Sequence, residues 1–217
     1  MSFPTQYRHA VTDRTSAAGD QSRERLLVVA LDLFAASGYR GTSIAQVAER
    51  AGLSQSGLLH HFKSKADLLA AALDHRDELE GHLLETADGT PAMGWAAFDA
   101  LVELVRRNAA EPRLVRLFVT LSAEAIDPDH PAHQWMMAHY DGVTAWLTAA
   151  IERGKGTGEM ERAMPTSHVV QRTIATMDGL QILWFARGDE VDMVADFVEY
   201  VEELHLRWAT TIAEAAG

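Results

Sequence analysis

The chain has 217 residues, 47% hydrophobic and 23% charged, with a formal net charge of −12. That balance is ordinary for a folded protein, and the length allows one small and one medium domain. The absence of cysteine excludes disulfides, thiolate metal ligands and cysteine nucleophiles.

Residues 1–19 hold Pro4, Gly19 and scattered polar side chains without a periodic pattern, and are expected to form a flexible arm. They contain no apolar run of signal-peptide length, and no stretch of about 18 apolar residues follows, so nothing is expected to span a membrane. A cytoplasmic location is the expectation. A first helix is predicted over about 20–37, with Leu27, Leu31 and Phe34 at i, i+4, i+7 and Gly38 as its stop. Two short helices come next. Ser43 is placed to cap the first, with Gln46 completing a capping box, and Val47 and Ala48 face inward. Gly52 sits where the chain must turn with positive φ. Ser54 caps the second helix, to which Leu58, Leu59 and Phe62 give an apolar side.

Ser64 then opens a long helix, with Asp67 as its capping acid, running to about Thr86. The run 87–91 breaks it. Further helices are predicted near 92–110, 112–126, 131–154, 165–187 and 190–215. They are punctuated by Glu111-Pro112, Asp127-Pro128-Asp129, the glycine run 154–158, Pro165 and Gly188-Asp189. No segment alternates as a strand does. The expected fold is all-α, about nine helices, with a three-helix helix-turn-helix domain followed by a larger helical domain.

A short exposed helix held on two others fits the major groove of DNA. The reading helix is expected from Gln55 to His61. Gln55 and Ser56 lie in its first turn, where side chains meet base edges, and Gly57 lets the backbone come close. His60 and His61 follow one turn later. Thr42 and Ser43 stand at a helix start suited to phosphate, and Lys63 and Lys65 flank the next one. The serines and the threonine also serve as plain caps, and the histidines as a solvated helix end.

The segment from about Gln21 to Leu73 resembles the DNA-binding domain of the TetR/AcrR family of transcriptional repressors. The matching features fall in order: the alanine-rich first helix, Phe34, Gly38-Tyr39, Thr42, the Ile44–Ala48 run, Ala51-Gly52, Gly57, Phe62, Ser64-Lys65 and Leu68-Leu69. The resemblance covers about a quarter of the chain. It implies a DNA-binding domain over about 20–80 and a ligand-binding, dimerising domain over 81–217. Family members usually have a tyrosine where this chain has Leu59, and that tyrosine often meets the DNA backbone. Leucine donates no hydrogen bond, so that contact is not carried over.

Charge is divided in the same sense. Residues 1–65 hold 8 Lys+Arg against 5 Asp+Glu, and residues 66–217 hold 11 against 26. The positive end lies where phosphates would be, although acidic surfaces also simply aid solubility. In the arm, Arg8 and Arg14 could reach a groove.

All five tryptophans lie after the DNA-reading segment. Trp95, Phe98, Phe118, Trp146, Met177 and Trp184 are candidates for the effector pocket that the resemblance implies, against the plainer possibility of a packed core. Residues 165–187 and 190–215 are apolar over wide faces. Two such hairpins could pair about a two-fold axis, with Ile174, Val194, Val198 and Val201 as interface candidates. His130 and His133 have possible metal spacing, but their aspartate-rich setting reads as a loop and a helix start, so no metal is assigned. No GxSxG, phosphate-binding glycine loop or HExxH occurs, so neither an enzyme nor a cofactor is expected. The expected partners are a double-stranded palindromic operator, a small apolar or amphipathic effector and a second copy of the chain. The alternatives are a DNA-binding regulator controlled by a protein or by nothing, and a helical binding protein without DNA function.

Overall fold

The computed structural model describes residues 15–81, 84–86 and 88–210. Among them are nine α-helices and no strand: α1 (Thr15–Gly41), α2 (Ile44–Arg50), α3 (Gln55–His61), α4 (Lys65–Gly81), α5 (Trp95–Ala110), α6 (Pro112–Glu124), α7 (His133–Thr157), α8 (Thr166–Arg187) and α9 (Met193–Trp208). The first helix starts at Thr15, inside the stretch expected as an arm, and Arg8 and Arg14 lie outside the described residues. No described helix is long and apolar enough to cross a membrane.

The chain divides into two compact units, residues 1–76 with 120–142, and residues 77–119 with 143–217. Helices α4, α6 and α7 each begin in one unit and end in the other.

In the first unit, Phe34 of α1, Val47 of α2, Leu58 of α3, Phe62 just after it, and Leu68, Leu69 and Leu73 of α4 are buried. Each such apolar side chain contributes about 1.5–3 kcal/mol by leaving water. Leu59, expected on the same apolar side as Leu58, is instead 46% exposed. In a helix of seven residues only one face can turn inward, and consecutive residues stand about 100° apart.

The α1 axis is interrupted at Gly38, whose φ of 68° and ψ of 177° are open only to glycine. The break frees the Tyr39 amide, which donates to Glu124 Oε2 at 3.0 Å. A Cβ on Gly38 would collide with that same carboxylate. Glu124 ends α6, so the sequence-distant segment 120–142 is fastened to the end of α1 in its own unit.

The turn that follows uses both histidines of the metal-like spacing. His130 Nδ1 accepts the Ala132 amide at 3.1 Å, which leaves the ring proton on Nε2, 3.3 Å from Glu124 Oε2. The imidazole meets the Tyr39 ring edge-on at 5.2 Å. His133 Nδ1 lies 2.8 Å from the Ala125 carbonyl, and Asp127 Oδ1 accepts the Asp129 amide at 3.0 Å.

In the second unit α5 packs along α9. The core gathers Phe98, Leu101, Trp146, Ile151, Met160 and Phe197. The glycine run after residue 153 was expected to be a turn. Helix α7 in fact continues through Gly154 and Gly156 to Thr157, and Gly158 turns the chain. A Cβ on Gly154 would lie 2.7 Å from Met160 Sδ and 3.2 Å from Gly94 Cα. Close packing there outweighs the roughly 1 kcal/mol that a helical glycine costs. Between α8 and α9, the Thr173 hydroxyl donates to the Val169 carbonyl at 2.8 Å, so the Tyr200 hydroxyl, 2.9 Å away, is the donor to Thr173. Burial is the main cause that pushes the Tyr200 phenol up.

Candidate functional site

Helix α3 starts where it does because the chain before it and its first turn are fixed locally. Ser54 Oγ accepts the Gly57 amide at 3.1 Å, and the Leu53 amide bonds back to the Ala48 carbonyl at 2.8 Å. Between α2 and α3 the turn passes through Gly52 at φ 73°. One helix earlier, Ser43 and Gln46 form the expected capping box. Ser43 N donates to Gln46 Oε1 at 2.8 Å, and Gln46 N to Ser43 Oγ at 3.2 Å. The next cap is shifted by one residue: Ser64 Oγ accepts the Asp67 amide at 3.0 Å, but Asp67 Oδ2 accepts from Lys63 N at 2.8 Å.

This scaffold leaves Gln55, Ser56, Leu59 and His60 exposed on α3. Gln55 makes no hydrogen bond among the described residues, so its amide is free to pair. Ser56 Oγ lies 3.0 Å from Ser54 Oγ and shares the cap. Gly57 lies against the same serine, where an added Cβ would stand 3.3 Å from Ser54 Oγ. His60 meets the half-buried His61 edge-on at 5.7 Å. Lys63 is exposed just beyond the helix.

Thr42 and Lys65 do not join this surface as expected. Thr42 is 3% exposed, and its hydroxyl proton is shared by the Gly38 and Leu33 carbonyls at 2.9 and 3.0 Å. Lys65 Nζ donates to the Tyr39 and Thr42 carbonyls at 2.8 and 2.9 Å and lies 4.2 Å from the Tyr39 ring centroid. Both side chains complete the hydrogen bonding at the end of α1. The reason is geometric: breaking α1 at Gly38 leaves carbonyls that need donors.

The aromatic candidates divide too. Phe98 and Trp146 lie in the core of the second unit, and Trp95, Met177 and Trp184 pack partly buried against it. Phe118 is buried but is not part of that cluster. Trp95 donates from Nε1 to the Glu159 carbonyl at 3.1 Å and stacks near His205. Trp184 borders a cleft of about 260 Å³ with Ala109, Met193 and Val194. Among the described residues of the second unit, two buried polar atoms have no hydrogen-bond partner, Trp146 Nε1 and Gln181 Oε1. Gln181 was missed in the sequence. Its signal was a lone amide four residues after Met177 and three before Trp184, on their stripe of α8.

Of the interface candidates, Ile174, Val194 and Val198 are half-buried against their own unit's core, and Val201 is inside it. The exposed apolar side chains of α8 and α9 are Ile182, Leu183 and Leu206. Their signal was overlooked because the run 182–185 is apolar on all sides.

Residues 26–72 match the model of the tetR family of bacterial regulatory proteins. The HTH-type transcriptional regulator TtgR of Pseudomonas putida is 25% identical over 198 residues, spanning 87% of this chain and 92% of that protein. A TetR transcriptional regulator from Chloroflexus aurantiacus has the same fold, with a TM-score of 0.74 at 24% identity over 90% of this chain and 100% of that one. The SmeT–triclosan complex aligns with a TM-score of 0.74 at 15% identity over 91% of this chain and 96% of that one. Capped short helices, the matched family segment and relatives alike over most of their length agree: the chain belongs to the tetR family and is a helix-turn-helix DNA-binding regulator of transcription.

Proposed function

We propose that the chain represses transcription as a homodimer on a palindromic operator and leaves it when a small apolar or amphipathic ligand enters the second unit. The observation that carries the DNA half is the α3 surface, where Gln55 stands exposed and uncommitted on a helix whose other polar groups hold its frame. Glutamine pairs with adenine N6 and N7 in the major groove. The test is selection of duplexes from a random pool, then titration of wild type and Gln55→Ala on the selected site and on random DNA. Gln55→Ala should lose about 1–3 kcal/mol on the selected site and little on random DNA. An equal loss on both would remove Gln55 from base reading.

Support for a ligand comes from the orphaned Trp146 Nε1 and Gln181 Oε1. A buried unpaired polar group costs about 1–3 kcal/mol, and a ligand that pairs with either atom would relieve that cost. Triclosan, held by SmeT, is a small aromatic probe of suitable character. The second reading, control by a protein partner or by no ligand, is favoured by one observation: Phe98 and Trp146 are already packed in the core.

A further inference from the structure

Leu58 and Leu59 are neighbours in α3, yet Leu58 is fully buried and Leu59 is 46% exposed. Leu59 follows Gln55 by four residues, so the two side chains share a face, about 6 Å apart along the axis. Ser56 and His60, the other exposed residues of the helix, are both polar. The major groove offers one apolar feature to an aliphatic side chain, the C5-methyl group of thymine. We propose that Leu59 is a specificity residue that reads a thymine methyl in each operator half-site. Successive bases of a strand are about 3.4 Å apart, so this thymine lies within about two base pairs of the base met by Gln55. The inference rests on the reading of α3 as the groove-entering helix, and it adds a base preference that the polar residues do not supply.

The test uses thymine and uracil, which differ only in that methyl group. A selected operator is synthesised with each half-site thymine replaced singly by uracil, and wild-type affinity is measured. One replacement near the Gln55 position should weaken binding about three- to fivefold, the worth of one buried methyl group. Leu59→Ala should bind the thymine and uracil operators equally. The first arm uses the unaltered protein, so the folding of a variant has no bearing on it. If wild type selects a sequence but tolerates uracil at every position, or if Leu59→Ala keeps the discrimination, the methyl contact is overturned while DNA reading stands. If wild type selects no sequence at all, DNA reading by α3 falls, and this inference with it.

Discussion

At the residue scale, two lysines two positions apart have opposite work. Lys65 spends its ammonium on two backbone carbonyls at 2.8 and 2.9 Å, while Lys63 is exposed. Hydrogen bonds to charged groups are worth about 1.5–3 kcal/mol, so Lys65→Ala should lower unfolding stability by about that much in urea titration. Lys63→Ala should leave stability within about 0.5 kcal/mol but reduce the salt dependence of DNA binding by about one phosphate contact. The reverse pattern would return Lys65 to the DNA surface. The sequence could not separate these two residues. Both are cations beside a helix start, and the difference lies in carbonyls 23 and 26 residues away. The caps at Ser43 and Ser54 were legible because their bonds are local and lie within three residues.

At the element scale, helix ends followed sequence rules where they depend on neighbours in the chain, and departed where packing decides. Gly38 and Gly156 show both cases. Gly38 holds a backbone conformation closed to other residues and backs onto Glu124, so Gly38→Ala should cost about 1–3 kcal/mol or more. Gly156 lies inside α7 with nothing near its would-be Cβ, so Gly156→Ala should stabilise by about 0.5–1 kcal/mol. Thermal melting of the two variants checks both signs at once. Periodicity could not show that α7 runs through the glycine run, since Met160 and Gly94 are what favour it. Nor could it show that residues 120–142 join the first unit, because the Glu124–Tyr39 contact spans 85 positions. Glu124→Ala should destabilise by about 1–2 kcal/mol, and Glu124→Gln, which keeps an acceptor, by less.

At the scale of the whole molecule, the tests of assembly and of switching both depend on side chains placed by the fold. For assembly, Val198→Asp would damage the protomer's own core, since Val198 packs against it. Ile182→Asp alters a side chain that is 54% exposed. Sedimentation should show a wild-type dimer at micromolar concentration and a monomer for Ile182→Asp, with unchanged helicity. For the switch, the long helix α4 is not the sole route, because α6 and α7 also pass from one unit to the other. A ligand shifts this equilibrium only by its difference in affinity for the two shapes. Tryptophan fluorescence reports on the second unit through Trp95, Trp146, Trp184 and Trp208, but Trp135 lies in the first unit, stacked on His139 at 5.2 Å. The probe is therefore Trp135→Phe, titrated with triclosan while operator affinity is followed in parallel. A coupling of about 1–3 kcal/mol would weaken operator binding by roughly 5–150-fold at saturation. Gln181→Leu should reduce triclosan affinity if the orphaned amide is its anchor, and leave operator affinity without ligand unchanged. Saturable quenching with constant operator affinity would show a site without a switch, and control by a partner protein would then be the better account.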